Sequence, residues 1–134
     1  MMTVEATTSG AAAGVQRLGQ VSVNAADVPR AKAFYRDVLE LRHLFDASGM
    51  SFFDCGGVRL MLSLPESPEY AHTSVLYLEV ADMGRSHRVL ADRGVAFEGA
   101  PHRIADLGDR ELWMAFFRDS EGNMLALMSE VRKT

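Results

Sequence analysis

Gln20-Val21-Ser22-Val23-Asn24-Ala25-Ala26-Asp27 and Val75-Leu76-Tyr77-Leu78-Glu79-Val80-Ala81-Asp82 are two copies of one pattern: a short alternating apolar run that ends on an aspartate. Gln20, Val23 and Asp27 fall on Val75, Leu78 and Asp82 at a constant spacing of 55 residues. Farther along, Asp54, Gly57, Leu60 and Leu62 fall on Asp119, Gly122, Leu125 and Leu127 at a spacing of 65. The second copy therefore carries ten extra residues, around Ala100 to Arg110, before its last hairpin. A duplicated unit that builds a curved sheet tends to hold a ligand between its copies, so the repeat directs the search for a site.

Within each copy the periodicity changes from two to 3.6. Leu18 to Val23 reads as a strand, and Asp27 can cap a helix whose first turn tolerates Pro29. There Ala31, Phe34, Tyr35 and Val38 form one apolar stripe, while Arg30, Lys32, Arg36 and Asp37 face water. In the second copy Asp82 caps, Met83, Val89 and Leu90 supply the stripe, and Gly94 suits a left-handed helix end. Further strands are predicted at Arg42 to Asp46, Met50 to Asp54, Val58 to Leu64, Ser74 to Val80, Pro101 to Ala105, Leu112 to Arg118 and Asn123 to Met128. The pattern predicts an α+β fold of two βαβββ modules forming a curved mixed sheet of about eight strands, with a cleft on one face and helices outside. Residues 1–16 are expected to be a disordered tail and 17–130 a single domain, with modules at 17–65 and 73–130.

Composition narrows the partners. A formal charge of −4 without a basic run points away from nucleic acid and anionic membranes, and toward a small molecule. No basic leader or membrane-length apolar stretch is present, and Cys55 is the only cysteine, so a cytoplasmic location is expected. Cys55 reads as a small residue before the tight Gly56-Gly57 turn.

Alternation divides the strands into two faces. Val21, Val23, Leu60, Leu62, Leu64, Leu76, Leu78, Val80, Leu125 and Leu127 share the parity that should meet the helices. The other parity carries Gln20, Ser22, Asn24, Arg59, Met61, Ser63, Val75, Tyr77, Glu79, Met124, Ala126 and Met128. Two readings of this second face stand at this point: the solvent side of an antiparallel sheet, or a partly dry ligand wall to which the methionines lend adaptability.

The paired βαβββ units, the phrase from Asp27 to Leu39 and the phrase Phe116-Phe117-Arg118-Asp119-Ser120-Glu121-Gly122-Asn123 resemble the vicinal oxygen chelate superfamily. That group includes glyoxalase I, bleomycin and fosfomycin resistance proteins, extradiol dioxygenases and methylmalonyl-CoA epimerase. The resemblance spans about Leu18 to Met128 and implies two sheets curled around a cleft, usually in a homodimer. It also implies a divalent metal held from the first and fourth strands of each module, which here are Gln20, Met61, Val75 and Ala126. Only Gln20 offers a hard oxygen donor; Met61 is soft, and Val75 and Ala126 carry no donor. The expectation is therefore no metal and no cofactor, with Gln20 as a hydrogen-bonding residue of the pocket.

His43, His72, His87 and His102 show no metal-ligand spacing. His87 reads as a solvated helix residue, and His102, beside the insertion, stands at the cleft mouth as a candidate acid–base group. Glu79 is the other catalytic candidate, a general base if burial raises its pKa, or an ion-pair partner of Arg59. Tyr77 and Trp113 can stack a flat ligand, but Trp113 and Phe116 have opposite parity, so at most one faces the cleft. The residues 106–111 read as a charged hairpin tip. The expected site thus joins Gln20, Ser22, Asn24, Arg59, Met61, Tyr77, Trp113, Met124 and Ala126 around a small, partly apolar molecule, with Glu79 and His102 as its acid–base residues. A lyase, isomerase or dioxygenase of the superfamily, or a drug-sequestering protein, are the alternatives.

Overall fold

The computed structural model describes residues 12–65, 68 and 74–134. The first eleven residues of the expected tail, most of the connector and His72 lie outside them. Module one runs β1 (Gln20–Asn24), α1 (Val28–Ala33), β2 (Arg42–Ala47), β3 (Met50–Cys55) and β4 (Val58–Ser63). Module two runs β5 (Leu76–Glu79), α2 (Met83–Asp92), β6 (His102–Asp106), β7 (Arg110–Arg118) and β8 (Met124–Arg132). The aspartates cap as the sequence predicts: Asp27 accepts from Arg30 N at 3.0 Å and Asp82 from Arg85 N at 3.1 Å. Gly94 takes φ 91°, the left-handed geometry that stops α2. After Ala33 the first helix widens into a π turn over Phe34–Val38, with Leu39 N bonded to Phe34 O at 3.1 Å.

The eight strands divide into two four-stranded mixed sheets, ordered β1-β4-β3-β2 and β5-β8-β7-β6. In each, the first strand lies parallel to the fourth and the others are antiparallel. β8 runs four residues past its expected end at Met128, because β7 begins at Arg110 and pairs it with Arg132. The expected charged tip is thus partly strand, with Arg110 paired to both Asp109 and Glu130 at 3.1 Å.

Register refines the repeat. Leu60 pairs with Phe53 and Leu125 with Phe117, so the third strands correspond at a spacing of 64, one less than the fourth strands. Counted between equivalent positions, Cys55 to Val58 and Asp119 to Asn123, the second turn holds one more residue than the first. Asp119 consequently sits in a turn and is not the counterpart of Asp54, which pairs with Arg59 inside the ladder.

Both sheets cover one core. Val23, Tyr35, Phe53, Leu60, Leu62, Met83, Leu90, Phe117, Leu125 and Leu127 form a single buried cluster drawn from both modules. Each large side chain fully removed from water stabilises the fold by about 1.5–3 kcal/mol. Leu64 departs from the expected core: β4 ends at Ser63, alternation no longer applies, and Leu64 is 63% exposed. His87 also departs from its solvated reading, since its ring packs on Phe97 at 4.1 Å and its Nε2 is buried with no hydrogen-bond partner among the described residues.

A polar latch joins the modules at one end. The buried Tyr35 hydroxyl donates to Asp119 at 2.7 Å, and Asn123 Nδ2 donates to Asn24 O at 2.8 Å. Arg30 grips Glu121 through Nε at 2.7 Å and Nη2 at 3.1 Å, while Asp27 N donates to the same carboxylate at 3.0 Å. Arg30 and these hydrogen bonds hold the Glu121 carboxyl down at about 2. Burial and the neighbouring Asp119 push the Tyr35 phenol far above its ordinary value, so it stays a donor.

Candidate functional site

On the face turned away from the core, register lines up Ser22, Met61, Phe52 and Phe45 across the first sheet. Phe45 and Phe52 stack at 4.5 Å with 21° between their planes. Arg59 spreads over both rings, its guanidinium carbon 5.1 Å from Phe52 and 5.8 Å from Phe45. Its Nε donates to Gln20 Oε1 at 2.6 Å, and Gln20 Nε2 lies 3.7 Å from Met61 Sδ. The alternating residues of β1, β3 and β4 produce this arrangement, with the cation fixed by an amide on the neighbouring parallel strand. Around it β2 is pinned from the helix side by Asp46, which accepts from Lys32, His43 and Ser51 at 2.6–2.8 Å. Those bonds, Lys32 first, hold the Asp46 carboxyl well below the usual carboxylate range.

The second sheet repeats the plan with different chemistry. Tyr77, Ala126 and Phe116 form one row, and Glu79, Met128, Met114 and His102 the next. Tyr77 is 48% exposed and meets Phe116 edge to face at 6.3 Å. His102 stands 6.5 Å from Phe116, and its Nδ1 lies 3.3 Å from Ala100 O, a local backbone contact. Ala126 is fully buried between Tyr77 and Phe116, so it forms the floor of this wall and presents no surface of its own.

Two expectations change here. Trp113 belongs to the helix side, where it packs on the core with Ala115 and Phe117 of the same parity, and Phe116 takes the wall position. Arg59 pairs with Gln20 and the phenylalanine stack instead of Glu79, and Glu79 is exposed, so this chain alone does not bury it as a general base would require. Gln20, Ser22, Arg59 and Met61 do converge on the first wall, and Met124 lies on the second. Asn24 shares the first wall's parity but commits its carbonyl to the latch. Phe45 and Phe52 are the wall residues that sequence reasoning missed. Their signal was available: an aromatic three residues before the Ser48–Gly49 turn and another three after it.

The four positions that the fold family uses for a metal do not form a chelate. Gln20 Oε1 already accepts from Arg59, Met61 offers a thioether, Val75 has no donor and Ala126 is both donorless and buried. Among the described residues no group of three His, Cys, Asp or Glu side chains is placed to hold an ion.

Two βαβββ modules sharing one core, each with an open wall of aromatic, thioether and polar groups, define a duplicated-module scaffold. The chain belongs to the glyoxalase/bleomycin resistance protein/dioxygenase superfamily, whose profile matches residues 17–127. Among solved structures it is similar to a lactoylglutathione lyase from Agrobacterium tumefaciens, with TM-score 0.66 and 21% identity over 87% of this chain and 95% of that one. A superfamily member from Sphaerobacter thermophilus DSM 20745 gives 0.69 and 22% over 87% and 98%. TnmS3, an antibiotic-binding protein from Streptomyces sp. CB03234, gives 0.71 and 23% over 87% and 98%. No curated protein sequence matches the chain. No helix among the described residues is long and apolar enough to cross a membrane.

Proposed function

We propose that this protein is a cytoplasmic, glyoxalase/bleomycin-resistance-like binding protein that holds a small, partly apolar organic molecule without the family's metal. The observation that carries the reading is the Gln20–Arg59 bond over the Phe45–Phe52 stack, which occupies the place of a metal half-site. A flat ligand stacks on Phe45, which is 42% exposed, and offers an acceptor to the free guanidinium edge of Arg59. Tyr77, Phe116, Met124 and Met128 supply the second wall, with Ala126 as its floor. Because each wall is open in a single chain, the pocket closes in a homodimer in which the wall of one copy faces the wall of its partner. That enclosure would desolvate Glu79 and His102, the condition under which the acid–base alternative, a lyase or isomerase, becomes chemically reasonable. TnmS3 and the lactoylglutathione lyase share this fold, so the scaffold suits sequestration as well as turnover, and the choice between them rests on the site residues.

A thermal-shift screen in the presence of chelator against flat metabolites and antibiotics tests this reading, since a ligand selective for the native state raises Tm. For a ligand so found, Arg59→Ala and Tyr77→Ala should each weaken binding by about tenfold, a loss of about 1.4 kcal/mol. Arg36→Ala, on the helix side, should leave it unchanged. Sedimentation should give a mass near twice 14.7 kDa. Equal affinity in all three variants, or a monomer that binds with full strength, would overturn the proposed pocket.

A further inference from the structure

The latch has no twin, and its missing twin is a cavity. At spacings of 55 for the helix and 64 for the third strand, Arg30, Tyr35 and Asp119 correspond to Arg85, Leu90 and Cys55. The place of Glu121 falls in the Gly56–Gly57 turn, which carries no side chain. Around these counterparts lies a cavity of about 790 Å³, floored by Leu78, Leu90 and Leu127 and bordered by Cys55, Gly56 and Arg85. Arg93 bridges the modules at the rim of this cavity, donating to Val38 O at 2.8 Å and pairing with Glu40. The gap is large enough for a metabolite-sized molecule; it shares no residue with the first wall, built on Arg59, and meets the second along the β5 edge at Tyr77 and Glu79.

The filled end shows what chemistry the empty end accepts. Where Arg30 holds a carboxylate through two hydrogen bonds, Arg85 has no ion pair among the described residues, and the floor beneath it is aliphatic where Tyr35 and Asp119 meet in the latch. We infer that this cavity is a second ligand site, which takes a small carboxylate with an apolar body. The carboxylate meets Arg85 as Glu121 meets Arg30, and the apolar body covers Leu78, Leu90 and Leu127. Such a molecule tightens the junction between the modules from the side the protein leaves open, and thereby stabilises the native state.

The test uses the full chain with 4-phenylbutyrate as probe and 4-phenyl-1-butanol as its uncharged match. Calorimetry reads affinity, and the rate at which a thiol reagent labels Cys55, the only cysteine, reads location. Labelling is run at alkaline pH, because burial and the neighbouring Asp54 raise the Cys55 thiol. The carboxylate should bind about tenfold more tightly than the alcohol, Arg85→Ala should erase that advantage, and saturation should slow Cys55 labelling at least about fivefold. Arg36→Ala, an exposed helix-side residue paired with Asp37, should change none of this. The inference is overturned if 4-phenylbutyrate fails to bind at millimolar concentration, if Arg85→Ala binds it equally well, or if Cys55 stays equally reactive. Loss of binding in Arg59→Ala with Cys55 unprotected would also overturn it, while leaving the wall reading intact.

Discussion

Replacing Tyr35 with phenylalanine removes one oxygen atom from the buried junction between the modules. Tyr35 is fully buried and Asp119 is 7% exposed, so the Asp119 carboxylate cannot recruit bulk water when the hydroxyl goes. Asp119 keeps the backbone amides of Glu121 and Asn123 on Oδ1, and the Asn123 amide on Oδ2. One of four donors is lost, and a hydrogen bond to a charged group contributes about 1.5–3 kcal/mol. The remaining donors limit the loss to about 2 kcal/mol. For a chain of 134 residues the unfolding entropy is about 0.28 kcal/mol/K, so Tm should fall by about 7 °C. Urea unfolding at pH 7 should give the same loss with an unchanged m-value, because the surface exposed on unfolding is the same. In a double-mutant cycle with Asp119→Asn the two side chains should couple by more than 1 kcal/mol. A loss below about 0.5 kcal/mol, or additive single effects, would refute the latch as a structural bond between the modules.

Other consequences follow from the same geometry. Glu121 has its folded-state pKa lowered to about 2 from 4.5, so the stability it contributes is complete above pH 4.5 and is lost as pH falls through 2. Arg30→Ala should therefore destabilise the protein modestly at neutral pH, because Arg30 is half exposed, and the difference from the parent should shrink toward pH 2. Chemical unfolding at a series of pH values checks this, and a difference that grows in acid would contradict it. His87→Phe replaces a buried nitrogen without a partner by carbon against Phe97, and should stabilise the protein by about 1 kcal/mol in thermal unfolding. A destabilised variant would mean that the imidazole has a role in the fold that its packing does not reveal.

How much of this was legible in the sequence varies with distance along the chain. Period-two alternation and the two capping aspartates are local signals, and they located every strand and both helices to within a few residues. The fourth-strand spacing survived because Leu60 and Leu125 each pair with an inward phenylalanine. The third-strand spacing did not, because two aspartates at equal spacing disguised a turn longer by one residue. The strand parity of Trp113 and Phe116 limited the choice to one of them, and the register of β7 on β8 decided for Phe116. Contacts such as Tyr35 with Asp119, 84 residues apart, depend on how the modules dock and leave no periodic trace in the chain. The same holds for Arg59, for which the sequence suggests Glu79 as an ion-pair partner and the parallel pairing of β1 with β4 supplies Gln20 instead.

The proposed metal-free pocket keeps the superfamily's paired modules, with Gln20, Met61, Val75 and Ala126 at the four positions where the family resemblance implies metal ligands. Calorimetric titration of chelator-stripped protein with Zn²⁺, Ni²⁺, Fe²⁺ and Mn²⁺ addresses that directly. The expected result is no saturable binding at one ion per chain, with the affinity of any ligand found in the screen unchanged by added metal. Stoichiometric binding of one of these ions, weakened by Gln20→Ala, would contradict it.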